Sequence, residues 1–345
     1  MKILYKPKTF SIVKSFKNIS MKRSFTMQNS ERMLVRIVNE ICKEENISIE
    51  SFSHDWIIKL ERFGKINYIF GYQFGLNSAS VNSICCDKSA TSEIMRSFKI
   101  PHVEHYFFMS PTNQKYIGDN GNWESISDLL NKYGNLVCKP NEGTGGNGIY
   151  HVTNQYELEN AVFKIFKNNR SMAISPFYNL ENEYRTIVLD GDIELIYSKE
   201  RQFVVGDGKK SVKSLLLEKP EFFSKISLMS SGTLNNDEFE KIPQKNEKYY
   251  INWKHNLGQG AKAVENIDKN IEKKVTDLVS VVIQKLNIRF ASIDVVKCND
   301  SYKILEINSG VMMENYARQD EYTYKKAKTI YKKAIFKMLE LGEQK

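Results

Sequence analysis

The run from Lys139 to Gly148 constrains this chain more than any other stretch, because it sets Gly143, Gly145, Gly146 and Gly148 between two segments that both read as strand. The segments are Asn135–Cys138, with Lys139 at its end, and Ile149–Val152. Glycines in such number leave the backbone free to turn its N–H groups toward an anion, at an entropic cost. The residues on the C-terminal side of the loop exclude two common phosphate devices. The spelling from Gly143 to Gly148 satisfies G-x-G-x-x-G, but a dinucleotide site needs a helix straight after its loop, and β-like residues stand there instead. A Walker loop ends in Gly-Lys-Ser/Thr, which this run lacks. A glycine loop joining two antiparallel strands is a different device, a flap over a nucleotide. An ordinary flexible hairpin is the plainer alternative.

A second pattern answers it downstream. Phe290–Cys298 and Tyr302–Ile307 are apolar, β-branched runs separated by Asn299, Asp300 and Ser301. A three-residue turn there puts Asp294 opposite Glu306, with Cβ atoms about 5 Å apart. Asn308, two residues on, points to the same face. Two carboxylates facing each other in an apolar sheet repel unless a cation lies between them. Two carboxylates and an amide suit Mg²⁺ or Mn²⁺, with nucleotide phosphates completing the shell. A two-residue turn would shift the register by one and send Asp294 and Glu306 to opposite faces. A surface hairpin with scattered charges is the bland reading.

The rest of the chain reads as mixed α/β. Leu34, Ile37, Val38 and Ile41 predict a helix over about 31–45, and strand character appears at Trp56–Leu60 and Tyr68–Phe70. Helical patterns recur at 87–97, through Leu158, Val162 and Phe166, from Ile271 to Leu286, and from Ala327 to Met338. Ile187–Leu189, Asp190, Gly191 and Ile193–Tyr197 predict a hairpin with a type I′ turn. Residues 206–250 read as polar loops with one short helix near Val212–Leu217. We divide the chain into a small α/β unit over 1–85, a glycine-loop unit over 86–175 and a metal-bearing unit over 176–345.

At 345 residues and 41% hydrophobic composition, the chain can bury two or three cores. Its net charge of +9 admits an anionic ligand, but nucleic acid is not expected from a lysine-rich surface alone. The five cysteines are odd in number and form no C-x-x-C, which fits a reducing, cytoplasmic setting. No apolar run approaches the roughly 18 residues that span a bilayer, so no membrane association is expected. Met1, Met21 and Met27 are all credible starts.

Through the two patterns together, the chain resembles the ATP-grasp superfamily of carboxylate–amine ligases. The matching residues are Lys88 ahead of a helix, Lys139 with its glycine loop, Glu183 to Arg185, Asp294, and Leu305 to Asn308. The stretch from Glu183 to Gly260 is similar to the ATP-grasp region of cyanophycin synthetase and of bifunctional glutathione synthetase, through the segments Val205 to Gly208 and Asn256 to Gly260. It departs at Ser175, where the family's linker offers a carboxylate or amide, and at Ser292, where glycine usually precedes the metal aspartate. Lys199, Glu200 and Arg201 replace paired arginines.

The resemblance implies antiparallel-sheet subdomains clasping ATP, preceded by a small N-terminal domain. It implies that Lys88 and Lys139 contact the phosphates, that Glu142, Gly143, Thr144, Gly145, Gly146, Asn147 and Gly148 cover them, and that Pro176, Phe177 and Tyr178 meet the adenine. Glu183 would accept from the ribose hydroxyls. Asp294, Glu306 and Asn308 would hold Mg²⁺ or Mn²⁺. A substrate carboxylate would attack the γ-phosphate, and an amine would then attack the acyl phosphate to give an amide, ADP and phosphate. Arg201 is the first choice to stabilise the oxyanion, with Arg185 and Lys199 as alternatives. Isolated histidines are expected to be structural. Glu314 could meet a substrate amine.

The substrates would be small carboxylates and amines, amino acids or peptides. A second reading keeps the fold and ligates a peptide or carrier protein, drawn by a basic last helix bearing Lys325, Lys328 and Lys332. A third is a nucleotide-binding module without turnover. Homodimers are common among such ligases.

Overall fold

A computed structural model describes residues 32–118, 122–143, 145–219 and 236–341. The N-terminal helix α1 (Met33–Glu45) forms where the apolar spacing places it, burying Leu34, Ile37, Val38 and Ile41 and ending on Asn46 in a left-handed conformation. A four-stranded antiparallel meander comes next: β1 (Ser48–Phe52), β2 (Ile57–Arg62), β3 (Lys65–Phe70) and β4 (Gln73–Phe74). Two helices succeed it, α2 (Ala79–Cys86) and α3 (Lys88–Ser97). Ser78 caps α2, and only Cys85 of that helix is buried, so it carries no amphipathic signal to read.

The glycine loop belongs to a second sheet, in the order β5 (Tyr106–Met109), β8 (Ser171–Pro176), β6 (Leu136–Pro140), β7 (Tyr150–Val152). Helices α4 (Trp123–Tyr133) and α5 (Gln155–Asn168) close its core around Leu136, Val152, Leu158, Ile165, Met172 and Ile174. β6 and β7 pair antiparallel on either side of the loop, as the strand patterns require.

The third sheet is the centre of the molecule. β9 (Asn182–Leu189) and β10 (Asp192–Glu200) meet at Asp190 and Gly191, both with positive φ, which is the expected two-residue hairpin. Between β10 and the next strand of this sheet lie the small pair β11 (Phe203–Val205) and β12 (Lys248–Tyr250), with α6 (Val212–Leu217) and α7 (Asn236–Phe239). β13 (Lys262–Val264), helix α8 (Lys269–Leu286), β14 (Phe290–Cys298) and β15 (Ser301–Asn308) complete it, in the order β13-β10-β9-β14-β15. The short α9 (Glu314–Ala317) and the long α10 (Glu321–Met338) end the described chain.

This central sheet is covered on both faces, which explains the near-continuous apolar run of β14. Ala291, Ile293 and Val295 pack against Val275, Val279 and Val282 of α8. Phe290, on the other face, joins α1, the meander and α10, with its ring edge-on to Phe74 at 5.0 Å. Further along that second face stand Ser292 and Asp294, both buried. A strand otherwise built for two cores therefore carries its buried polar residues at one place.

The β14–β15 turn differs from the three-residue expectation. Cys298 pairs with Ser301, leaving only Asn299 and Asp300 in the turn, both left-handed. Alone, this would put the two acids on opposite faces. A β-bulge compensates: Val295 pairs with Ile304 but Asp294 with Glu306, so Leu305 is the extra residue. The two acids end up opposite after all, by a different route.

Candidate active site

A cleft opens between the glycine-loop sheet and the central sheet, and the candidate residues fall into three parts of it. The first is the lid. Asp87 caps α3 and fixes Lys88 at its first turn. The Lys88 ammonium donates to the carbonyls of Gly143 (2.7 Å) and Asn141 (3.3 Å), so it reaches the root of the glycine loop. Lys139, 5% exposed, extends from β6 into the cleft. Burial brings its ammonium down to about 8, against the pull of Glu306. Gly145, Gly146 and Gly148 have φ between 68° and 76°. A Cβ on Gly146 would stand 2.6 Å from the Asn256 amide nitrogen, so a side chain there would meet a strained backbone and push the Asn256 amide from its place. That same amide donates to the Gly145 carbonyl at 2.9 Å and latches the flap to the opposite lobe. Asn147 lines the cleft; Glu142 is exposed outside it, and Thr144 lies outside the described residues.

The second part is an apolar slot. Pro176, Phe177 and Tyr178 line it together with Val103, Val137, Ile149, Leu305 and Met312. The Phe177 N–H donates to Asn135 (2.9 Å), and its ring stacks on His151 with centroids 4.1 Å apart. Leu305 reaches this wall because it is the bulged residue.

The third part is a buried charge network. Arg185 grips Asp294 with two bonds of 2.7 Å, and Lys199 donates to the same carboxylate at 2.8 Å and to Glu183. Burial opposes the ionisation of Asp294, but Arg185 and Lys199 outweigh it and hold the carboxyl well below the usual range. Glu183 is pushed up to about 7 by burial, with Lys199 pulling the other way. Glu306 lines the cleft and accepts from the Asn308 amide at 3.2 Å. The side-chain oxygens of Asp294, Glu306 and Asn308 are hard donors of the kind that suit a divalent cation, but only Glu306 lines the cleft, and both oxygens of Asp294 are engaged by Arg185 and Lys199.

Of the three oxyanion candidates, Arg185 and Lys199 line the cleft. Arg201 stands outside its lining, with the guanidinium 4.1 Å above the Tyr250 ring. Glu314 is spoken for: it accepts from the first N–H groups of α1, Met33 (2.7 Å) and Leu34 (3.1 Å), and from Tyr72. It is a helix cap rather than an amine receptor. Met312 lines the cleft, while Met313 is core.

Other lining residues carried no local signal: Trp253, Lys254, His255, Asn315, Tyr197 and Tyr316. His255 bonds the Lys199 carbonyl through Nδ1 at 2.8 Å, and burial holds it down at about 4, hence neutral. Asn256 was visible as part of a likeness; its role as a latch needed the fold.

No family model matches the chain. Cyanophycin synthetase of Nostoc sp. is 24% identical over 251 residues, 67% of this chain and 26% of that protein. The glutathione biosynthesis bifunctional protein of Clostridium perfringens is 24% identical over 198 residues, 52% of this chain and 25% of that protein. This chain thus spans about a quarter of the length of these curated relatives. A bifunctional glutathione synthetase from Pasteurella multocida superposes with a TM-score of 0.50 at 16% identity, over 88% of this chain and 44% of that one. The fold is the ATP-grasp fold. The chain is a relative of the ATP-grasp carboxylate–amine ligases.

Proposed function

We propose that the chain is an ATP-dependent carboxylate–amine ligase that forms an amide or peptide bond through an acyl phosphate and releases ADP and phosphate. One observation supports this reading: Lys88 and Lys139 lie by a glycine flap in the same cleft as Glu306 and Arg185, and Arg185 bonds the buried Asp294 just behind the cleft wall. Adenine would occupy the apolar slot beside the Pro176–Tyr178 backbone. The phosphates would then run beneath the flap toward the two lysines, and Glu183 would accept from the ribose.

Mg²⁺ or Mn²⁺ held by Glu306, Asp294 and Asn308 would neutralise the charge of the reacting phosphates. Lys139 faces the developing negative charge from a buried position, where an ammonium acts more strongly than in water. As the acid's carboxylate attacks the γ-phosphorus, ADP leaves. The amine next attacks the acyl carbon, the carbonyl oxygen gathers charge toward Lys199 and Arg185, and phosphate departs. Arg201, stacked on Tyr250 outside the cleft lining, is not assigned to this step. The Asn256 latch keeps the flap down, which shields the acyl phosphate from water.

Free amino acids or short peptides are the preferred substrates. The face meant to recruit an acidic partner is neutralised within the chain: Lys325 pairs with Glu321, Lys328 with Glu40 and Glu44, and Lys332 with Glu45. The test is incubation with ATP, Mg²⁺ and amino-acid pairs, which should give ADP, phosphate and a condensed product. AMP and pyrophosphate would refute the chemistry. A module without turnover would show no ADP release for Asp294→Asn and Glu306→Gln to abolish.

A further inference from the structure

Asp294 is asked to serve two partners at once. Its two oxygens receive three charge-assisted bonds, two from Arg185 and one from Lys199. It is 1% exposed, so water adds little. The carboxylate directly opposite it, Glu306, faces the cleft and receives no protein cation among the described residues. A divalent cation bridging this pair would come close to the Lys199 ammonium, and like charges that near in a buried place repel strongly.

The two protein cations are unequal in this contest. Arg185 binds side-on with a rigid fork, which fixes the plane of the carboxylate. Lys199 is a point charge on a flexible stem, holding Asp294 through one oxygen, with Glu183 as its second anchor. Lys199 also lines the cleft, so it can turn toward an anion arriving there.

We propose that Lys199 is a resident counter-cation of Asp294 that yields this carboxylate to a divalent metal only when nucleotide phosphates take the lysine over. Metal and nucleotide then enter as a pair, and the free protein rejects the bare ion. Arg185 is the fixed orienting partner and Lys199 the exchangeable one. The proposal rests on reading the cleft as an ATP–metal site.

The test is Mn²⁺ binding to the full chain, monitored by electron paramagnetic resonance without nucleotide, for wild type, Lys199→Met and the double variant Lys199→Met/Glu183→Gln. The double variant removes both charges of the buried pair, so it serves if the single change unfolds the chain. Lys199→Met should bind Mn²⁺ at least about tenfold more tightly than wild type, because one repelling charge is gone and Asp294 is released; the double variant also loses a nearby carboxylate and should show a smaller gain in the same direction. Equal affinity in wild type and variants would overturn the proposal. Equilibrium dialysis of ATP with Mg²⁺ on wild type separates the two levels. Should ATP bind while Mn²⁺ affinities stay equal, only the Lys199 role falls; should ATP not bind, the cleft reading falls and takes this proposal with it.

Discussion

The two walls of the cleft handle charge in opposite ways. On the lid side, Lys88 rests on backbone carbonyls, and Lys139 has no carboxylate bonded to it among the described residues. On the central-sheet side, Arg185, Lys199, Glu183 and Asp294 satisfy one another. An uncompensated buried ammonium costs stability and persists where an anion is meant to arrive. A saturated network is instead stable as it stands and must rearrange to work. The lid wall is thus primed by deficit, the other by exchange.

Substitutions should separate the walls. The largest effect is expected for Asp294→Ala, which strands Arg185 in a buried place and leaves Lys199 with Glu183 alone. Loss of about 3–5 kcal/mol in chemical denaturation is expected, together with loss of ADP release. Lys139→Met should do the reverse to stability and the same to function: an unchanged or raised melting temperature, with ATP turnover down about 10²–10³-fold. If both variants lowered stability alike, the contrast between the walls would be wrong.

Lys139 also sets a pH dependence. Its folded value, about 8, lies below the ordinary lysine value of 10.5, so the fold disfavours its protonation. That penalty is full below pH 8 and is lifted as pH rises toward 10.5, which adds about 3 kcal/mol of stability across the window. Lys139→Met should lose this rise in a melting series. Nucleotide phosphates restore the proton, so ATP affinity should weaken by up to about tenfold per pH unit above 8. Calorimetry in buffers of different ionisation enthalpy should register proton uptake on binding.

Gly146→Ala meets both a left-handed backbone and the Asn256 amide. A loss of roughly tenfold in ATP affinity is expected, about 1–2 kcal/mol of flap strain, and Asn256→Ala should relieve only the steric share. The smallest effect belongs outside both walls: Glu314→Ala uncaps α1 and should cost about 1 kcal/mol in stability, with kcat within about twofold.

Much of this was legible in the sequence because local pattern and fold agree. Val212–Leu217 is helical as its pattern predicts, and the Asp190–Gly191 hairpin closes where its turn chemistry demands. The glycine loop advertised its strands because no helix-forming residues come after it. The features that escaped reading depend on residues far apart in sequence. No local spelling shows that Arg185, 109 residues from Asp294, will grip it, or that Glu314 will cap a helix 281 residues upstream. Lys328 and Lys332 of α10 read as part of a docking face because their partners on α1 are equally remote. The bulge at Leu305 was hidden for another reason: one extra residue in an apolar strand changes neither composition nor alternation enough to notice.

That bulge separates two jobs usually done by one turn. Because the two-residue length of the tip and the bulge at Leu305 together set the phase of Glu306 against Asp294, the side chains at the tip are free of that task, and Asp300 is almost wholly in solvent, its side chain 97% exposed. Replacing Asp300 with glycine, which keeps a left-handed pair at the tip, should leave the Asp294–Glu306 alignment untouched. The tip is therefore a natural place to tether a dye or a surface to this molecule, about five residues along the ribbon from the chemistry yet rigidly connected to it.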